Sequence, residues 1–154
     1  FPAMNFPLLT LCHEGGVGVW QMPCPEIAAL GFRRERPPGV TIRQALEGEA
    51  GCQACDELAA SVAECLQQQI GEGFELLAVL GGNATSPGCA VHDAGAALAP
   101  ESGIFMLALQ RELRQRGIDV PFHAMRDVSP DLLEQDLEWL RQRLPASGVN
   151  RREG

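Results

Sequence analysis

A chain of 154 residues that is 45% hydrophobic and 21% charged is long enough to bury a core without disulfides or a structural metal. The net charge is −8 and all twelve basic residues are arginines scattered among acidic ones, which excludes the concentrated basic face that a nucleic-acid backbone requires. No apolar stretch approaches ~20 residues, which excludes a membrane-spanning helix, and the N-terminus lacks the pattern of a secretory signal.

In chain order, Asn5 is placed to cap a helix from Phe6 to about Glu14, with Pro7 in its first turn and Gly15-Gly16 ending it. The apolar, β-branched run Val17 to Met22 predicts a strand. The polar stretch from Phe32 to Gly51 predicts a loop, with one short turn of helix near Ile42 to Leu46. Cys55, Leu58, Ala59, Val62, Cys65, Leu66 and Ile70 recur at helical spacing and predict an amphipathic helix ended by Gly71 and Gly73. A second strand is expected within Phe74 to Leu80, centred on Leu76 to Leu80. A long Gly/Ala/Pro loop follows, then a helix from Ile104 to Arg116 with Gly117 at its end. Val120 to Met125 predicts a third strand, Pro130 to Leu144 a last helix, and the tail from Pro145 to Gly154 a flexible end.

Strands alternating with helices predict a single α/β domain over residues 1–144, with a doubly wound, mainly parallel sheet and helices on both faces. Only three strands are apparent and the chain opens on a helix. The expectation is therefore a sheet lacking its first strand.

Six cysteines in a chain with an adequate core and no export signal predict reduced thiols in a cytoplasmic setting rather than three disulfides. Two occupy distinctive contexts. Cys24 lies in Gln21-Met22-Pro23-Cys24-Pro25-Glu26 and Cys89 in Thr85-Ser86-Pro87-Gly88-Cys89, each beyond a predicted strand where prolines stop regular sheet. Thiols at strand ends of an open α/β sheet collect at one ligand-binding edge, so the pair predicts one shared site, with metal the first candidate.

These motifs, with Leu30-Gly31-Phe32-Arg33 and the Gly-Ile-Phe-Met start of the helix after Cys89, resemble the thiouracil desulfurase-like proteins. The resemblance runs from about Phe1 to Arg126. It implies a [4Fe-4S] cluster held by three cysteines, with one iron free to take the sulfur of a thiolated pyrimidine. Cys24 and Cys89 would be two of the ligands. In the family the third lies in a His-Cys-Leu-Leu-Asn-like stretch at the end of the first strand, which this sequence lacks. The 154-residue chain is therefore expected to bind a cluster poorly, and an upstream segment bearing a cysteine to give stable loading. The implied partner is a small thio compound; the sequence is silent on oligomeric state.

Replacing sulfur by oxygen at a ring carbon needs a group that moves protons. Ser86 and Glu26 adjoin the two presumed ligands and are the candidates, with His92 and Asp93 on the same loop as further ones. Two plain roles stand beside these: Ser86 stabilising the turn before Pro87, and Glu26 favouring the start of the helix to Leu30. Cys12 sits on an apolar helix face, where packing is the favoured role, yet it is also the substitute third ligand. Cys52-Gln53-Ala54-Cys55 at a helix start is open to redox or zinc chemistry, although it follows a loop and has no second such motif. His13 and His123 show no ligand spacing. Two alternatives thus accompany the desulfurase reading: a binding module with a degenerate site, and a thiol redox or zinc protein built on Cys52 and Cys55.

Overall fold

The computed structural model describes residues 5–93 and 95–145, so nearly all of the expected tail lies outside the described residues. Helices account for 49% of the structure. Six are present among the described residues: α1 (Phe6–Glu14), α2 (Pro25–Leu30), α3 (Ile42–Glu47), α4 (Glu49–Gly71), α5 (Ile104–Gln115) and α6 (Pro130–Arg141). Two short strands, β1 (Val79–Leu80) and β2 (Phe122–His123), pair in parallel with Val79 opposite Phe122. The chain divides into two compact units, one holding residues up to Gln21 and from Arg126 onward, the other Met22–Met125.

In the first unit α1 packs against α6. Asn5 caps α1 by accepting from the Leu8 amide at 3.1 Å, and Pro7 falls in the first turn, where its missing N–H costs nothing. The side chain of Asp136 on α6 is fully buried and receives the Arg126 amide at 2.8 Å and its guanidinium at 2.5 Å.

In the second unit α4 lies along α5, with α2 and α3 against α4. The buried face of α4 is Cys55, Ala59, Val62, Ala63 and Leu66, a stripe at helical spacing that meets Phe105, Met106, Leu109 and Leu113 of α5. Thr41 opens α3 with a reciprocal cap, its hydroxyl accepting from the Gln44 amide and its own amide donating to the Gln44 side chain. The short helical turn expected near Ile42 to Leu46 is α3, and the part expected to be loop from Gly48 to Gly51 is helical again from Glu49.

The doubly wound α/β sheet is not present, and the expectation that it lacks only its first strand falls with it. Of the three predicted strands one is absent among the described residues and two are cut to two residues each, for local reasons. Val17 to Met22 forms no ladder, and Val19 and Trp20 remain 55% and 44% exposed, so no neighbouring surface rewards an extended run. In Val120 to Met125, Pro121 has no N–H to give; its carbonyl accepts from Val79, and regular pairing starts at Phe122. Of Leu76 to Leu80 only the last two residues pair: upstream of Val79 the facing Pro121 has no N–H to continue the ladder, and downstream the Gly82 amide turns to the Cys89 carbonyl at 2.9 Å and ends it. What remains is a single β1–α5–β2 crossover laid on a helical core.

Candidate functional site

Cys24, Glu26, Arg34, Ser86 and Cys89 all belong to the second unit. Cys24 is the N-cap residue of α2, with an extended backbone and an exposed side chain, and Pro25 after it is buried. A proline at the first helical position fixes where α2 starts and leaves the thiol just outside it. Glu26 follows in the first turn, where its charge suits the helix dipole.

Cys89 sits in the loop after β1. Asn83 starts that loop by accepting from the Thr85 amide at 2.9 Å, and the Ser86 amide donates to the Asn83 carbonyl. The far side of the loop is held by α5, which has no side-chain cap. Its first amides are taken instead by loop carbonyls: Ile104 donates to Pro87 at 3.0 Å and Phe105 to Gly88 at 3.2 Å. The loop and the helix therefore satisfy each other, and the position of Cys89 is tied to the α4–α5 core.

Gly88 brings the two cysteine segments together. A Cβ built there would stand 2.7 Å from Cγ of Pro25 and 3.4 Å from Cγ of Glu26, so only glycine lets this backbone lie on the start of α2. A hydrogen-bonded chain then crosses between the segments. The Ser86 hydroxyl donates to Oε1 of Glu26 at 3.2 Å and accepts from the Cys89 amide at 3.2 Å and the Cys89 thiol at 3.1 Å. The second oxygen of Glu26 accepts from Nε of Arg34 at 2.5 Å, and the carboxylate is only 12% exposed. Burial pushes the Cys89 thiol up; its bond to Ser86 draws it down, and the Cys24 and Glu26 charges push it up again. The Arg34 guanidinium is held protonated first by Glu26 and, further down, by Cys24.

The remaining candidates are engaged elsewhere. His92 Nε2 bonds the Ala84 carbonyl at 3.0 Å, while its amide and carbonyl are both bonded by the buried Ser102 hydroxyl. Asp93 accepts from the Gly95 amide, an Asx turn, and is exposed. Cys12 is buried in the first unit, and burial raises its thiol. The described residues contain no group of three His, Cys, Asp or Glu side chains arranged to hold a metal ion. The six cysteines are all free thiols.

Cys52 and Cys55 lie inside α4 rather than at its start, and the Cys52 thiol donates to the Glu47 carbonyl at 3.4 Å. Cys55 is 1% exposed, and its thiol is pushed up to about 11 by burial first, then by Cys52 and Asp56. The folded chain thus keeps a proton that the unfolded chain loses near its ordinary value of 9.0. Stability should be intact below pH 9 and fall as pH rises toward 11, by about 1.4 kcal/mol at pH 10 from this thiol. The chain has no tyrosine or lysine, so the other groups that respond in that window are its cysteines, and the raised thiols of Cys12 and Cys89 act in the same direction. Urea unfolding under reducing conditions at pH 8 and pH 10 checks this, and Cys55→Ala should shrink the difference.

Arg34 is the site residue that sequence reasoning did not single out. Its only sequence signal is a place in the run Arg33-Arg34-Glu35-Arg36, where nothing distinguishes it from its neighbours. Among the described residues no helix is long and apolar enough to cross a membrane. The chain matches no protein-family model, no curated protein and no solved structure.

Proposed function

We propose that this chain is an iron–sulfur desulfidase that removes sulfur from a thiolated nucleobase or a related small thio compound, with Cys24 and Cys89 as two thiolate ligands of a [4Fe-4S] cluster. The observation that carries the reading is the chain of contacts from Glu26 through Ser86 to the Cys89 thiol, with Cys24 on the same small surface. Thiolates are the soft donors such clusters take, and Arg34 offsets part of their charge; the two thiols fit as two ligands of the set, with no third among the described residues at this place. When bound, the cluster supplies an open iron position suited to a soft sulfur atom. The protein's own residues handle the proton. Ser86 takes a proton from the water that adds to the ring carbon and passes its own to Glu26. The carbon–sulfur bond breaks as the carbon–oxygen bond forms. Sulfur leaves at the level of hydrogen sulfide, so water and thiocarbonyl give carbonyl and sulfide with no net oxidation.

Anaerobic reconstitution with iron and sulfide, with a cysteine-bearing segment joined upstream to supply the third thiolate, tests the reading. In that protein Cys24→Ser and Cys89→Ser should each abolish the visible cluster absorbance, whereas Cys52→Ser and Cys55→Ser should leave it. Ser86→Ala and Glu26→Gln should keep the colour and slow sulfide release from 2-thiouracil by about 100-fold or more. The two-ligand donor set also favours a second reading, a binding module of the same site without catalysis. Stable colour with no sulfide release from any thiopyrimidine would select it. Absence of colour, with zinc bound through Cys52 and Cys55, would overturn both.

A further inference from the structure

We propose that Arg34 is the positioning residue of this site: its guanidinium fixes the Glu26 carboxylate against Ser86 and lays a positive charge beside Cys24. The inference deepens the desulfidase reading and rests on it for its catalytic part only.

Three observations carry it. The first is the division of the carboxylate. Nε of Arg34 holds Oε2 at 2.5 Å and Ser86 holds Oε1 at 3.2 Å, so both oxygens are engaged and neither the χ angles nor the plane of Glu26 is free. The second is the backbone. Arg34 has φ 50°, and it is the one residue other than glycine with positive φ among the described residues. A side chain is rarely held there without compensation. The turn that holds it is closed by the Arg34 amide on the Gly31 carbonyl at 3.0 Å and the Glu35 amide on the Leu30 carbonyl at 3.0 Å, and Arg36 braces it by donating to the Arg34 carbonyl at 2.9 Å. That turn reverses the chain after α2 and returns the guanidinium to the first turn of the same helix. The third is the position of Cys24: it is the exposed N-cap of α2, two residues before the Glu26 carboxylate that the guanidinium holds. Glu26 and Cys89, the neighbouring acidic groups, are anionic when ionised, and the Arg36 guanidinium on the Arg34 carbonyl adds a second cation to the turn. An ion pair on a solvated surface would contribute little by itself. Here one partner is nearly buried and its second oxygen is committed to Ser86, so the pair decides geometry rather than stability.

Two measurements test the proposal, one of which needs no turnover. In the reduced protein without cluster, the rates at which Cys24 is alkylated by anionic iodoacetate and by neutral iodoacetamide are compared at low salt by peptide mass spectrometry. Their ratio should fall about 3- to 10-fold in Arg34→Gln, recover in Arg34→Lys and rise in Glu26→Gln, with the differences shrinking at high salt. An unchanged ratio in Arg34→Gln would overturn the placement of the charge. In the reconstituted protein with 2-thiouracil, Arg34→Gln should lower kcat about 10- to 100-fold with KM nearly unchanged and full cluster absorbance, and Arg34→Lys should restore part of it. The double variant with Glu26→Gln should be no slower than Glu26→Gln alone, because the two act as one unit. Losses that multiply, or an effect on KM only, would overturn the positioning role. Absence of turnover in the unaltered protein would overturn the desulfidase reading, while the alkylation ratio would still decide Arg34.

Discussion

Gly103→Ala is expected to cost about 3 kcal/mol of stability and to dismantle the thiol site at the same time. Gly103 is the N-cap of α5 with φ −60° and ψ 140°, a conformation alanine adopts freely, so the backbone itself is not the obstacle. A Cβ there would lie 2.3 Å from the carbonyl carbon and oxygen of Gly88 and 2.4 Å from the amide nitrogen of Cys89. These are main-chain atoms and have no rotamer to change. The loop must move off the helix. That separates the Ile104 and Phe105 amides from the Pro87 and Gly88 carbonyls, breaks the bond from the Gly103 amide to Ala90, and carries Cys89 away from Cys24. Circular dichroism in urea should show the lowered midpoint, and Cys89, freed from its bond to Ser86, should be alkylated faster in native conditions. Gly71→Ala gives the opposite sign. It closes α4 with nothing within 4 Å of the added methyl, and should stabilise by about 0.5 kcal/mol. A fall for both variants would show that the close approach at Gly103 is not what matters.

The second large effect falls in the other unit. Asp136 has no exposed surface and gathers the Arg126 amide and guanidinium, so Asp136→Ala removes a buried anion from donors arranged around it. Breaking such a pair typically costs about 3–5 kcal/mol. The Arg126 side chain is 31% exposed and can recover some water, which puts the expected loss near the low end, about 3 kcal/mol. The amide is the larger difficulty, because a backbone donor has nowhere to turn. Asp136→Asn keeps an acceptor for it and should lose less. Both tryptophans, Trp20 and Trp139, belong to this unit, so fluorescence-monitored urea unfolding reads the change directly. Equal losses for the two variants would mean that charge, and not the amide contact, is what Asp136 supplies.

Helices were legible because their determinants are local. Asn5 with Pro7 and the spacing of Cys55, Ala59, Val62 and Leu66 each act within a few residues of chain, and the helices they specify are present. The early start of α4 went unread because Gly51 looked like a loop residue. A Cβ there would stand 2.2 Å from the Ala45 carbonyl oxygen, a close approach of α4 to α3 that composition cannot reveal.

The sheet was misread for the opposite reason. A run such as Val17 to Met22 has strand propensity, but a strand exists only when a second segment supplies hydrogen bonds and a surface to pack on. The site divides along the same line. By itself the sequence determined where most helices lie, that Cys24 and Cys89 occupy unusual Pro- and Gly-shaped contexts, and that Glu26 and Ser86 adjoin them. Only the tertiary structure decided that Gly88 lies on Pro25, that Ser86 reaches Glu26 across 60 residues of chain, and that Arg34 closes the group. Caps and periodicity are energies of neighbouring residues, whereas these contacts depend on how α2 and the Cys89 loop are held against α4 and α5, which no window of sequence contains.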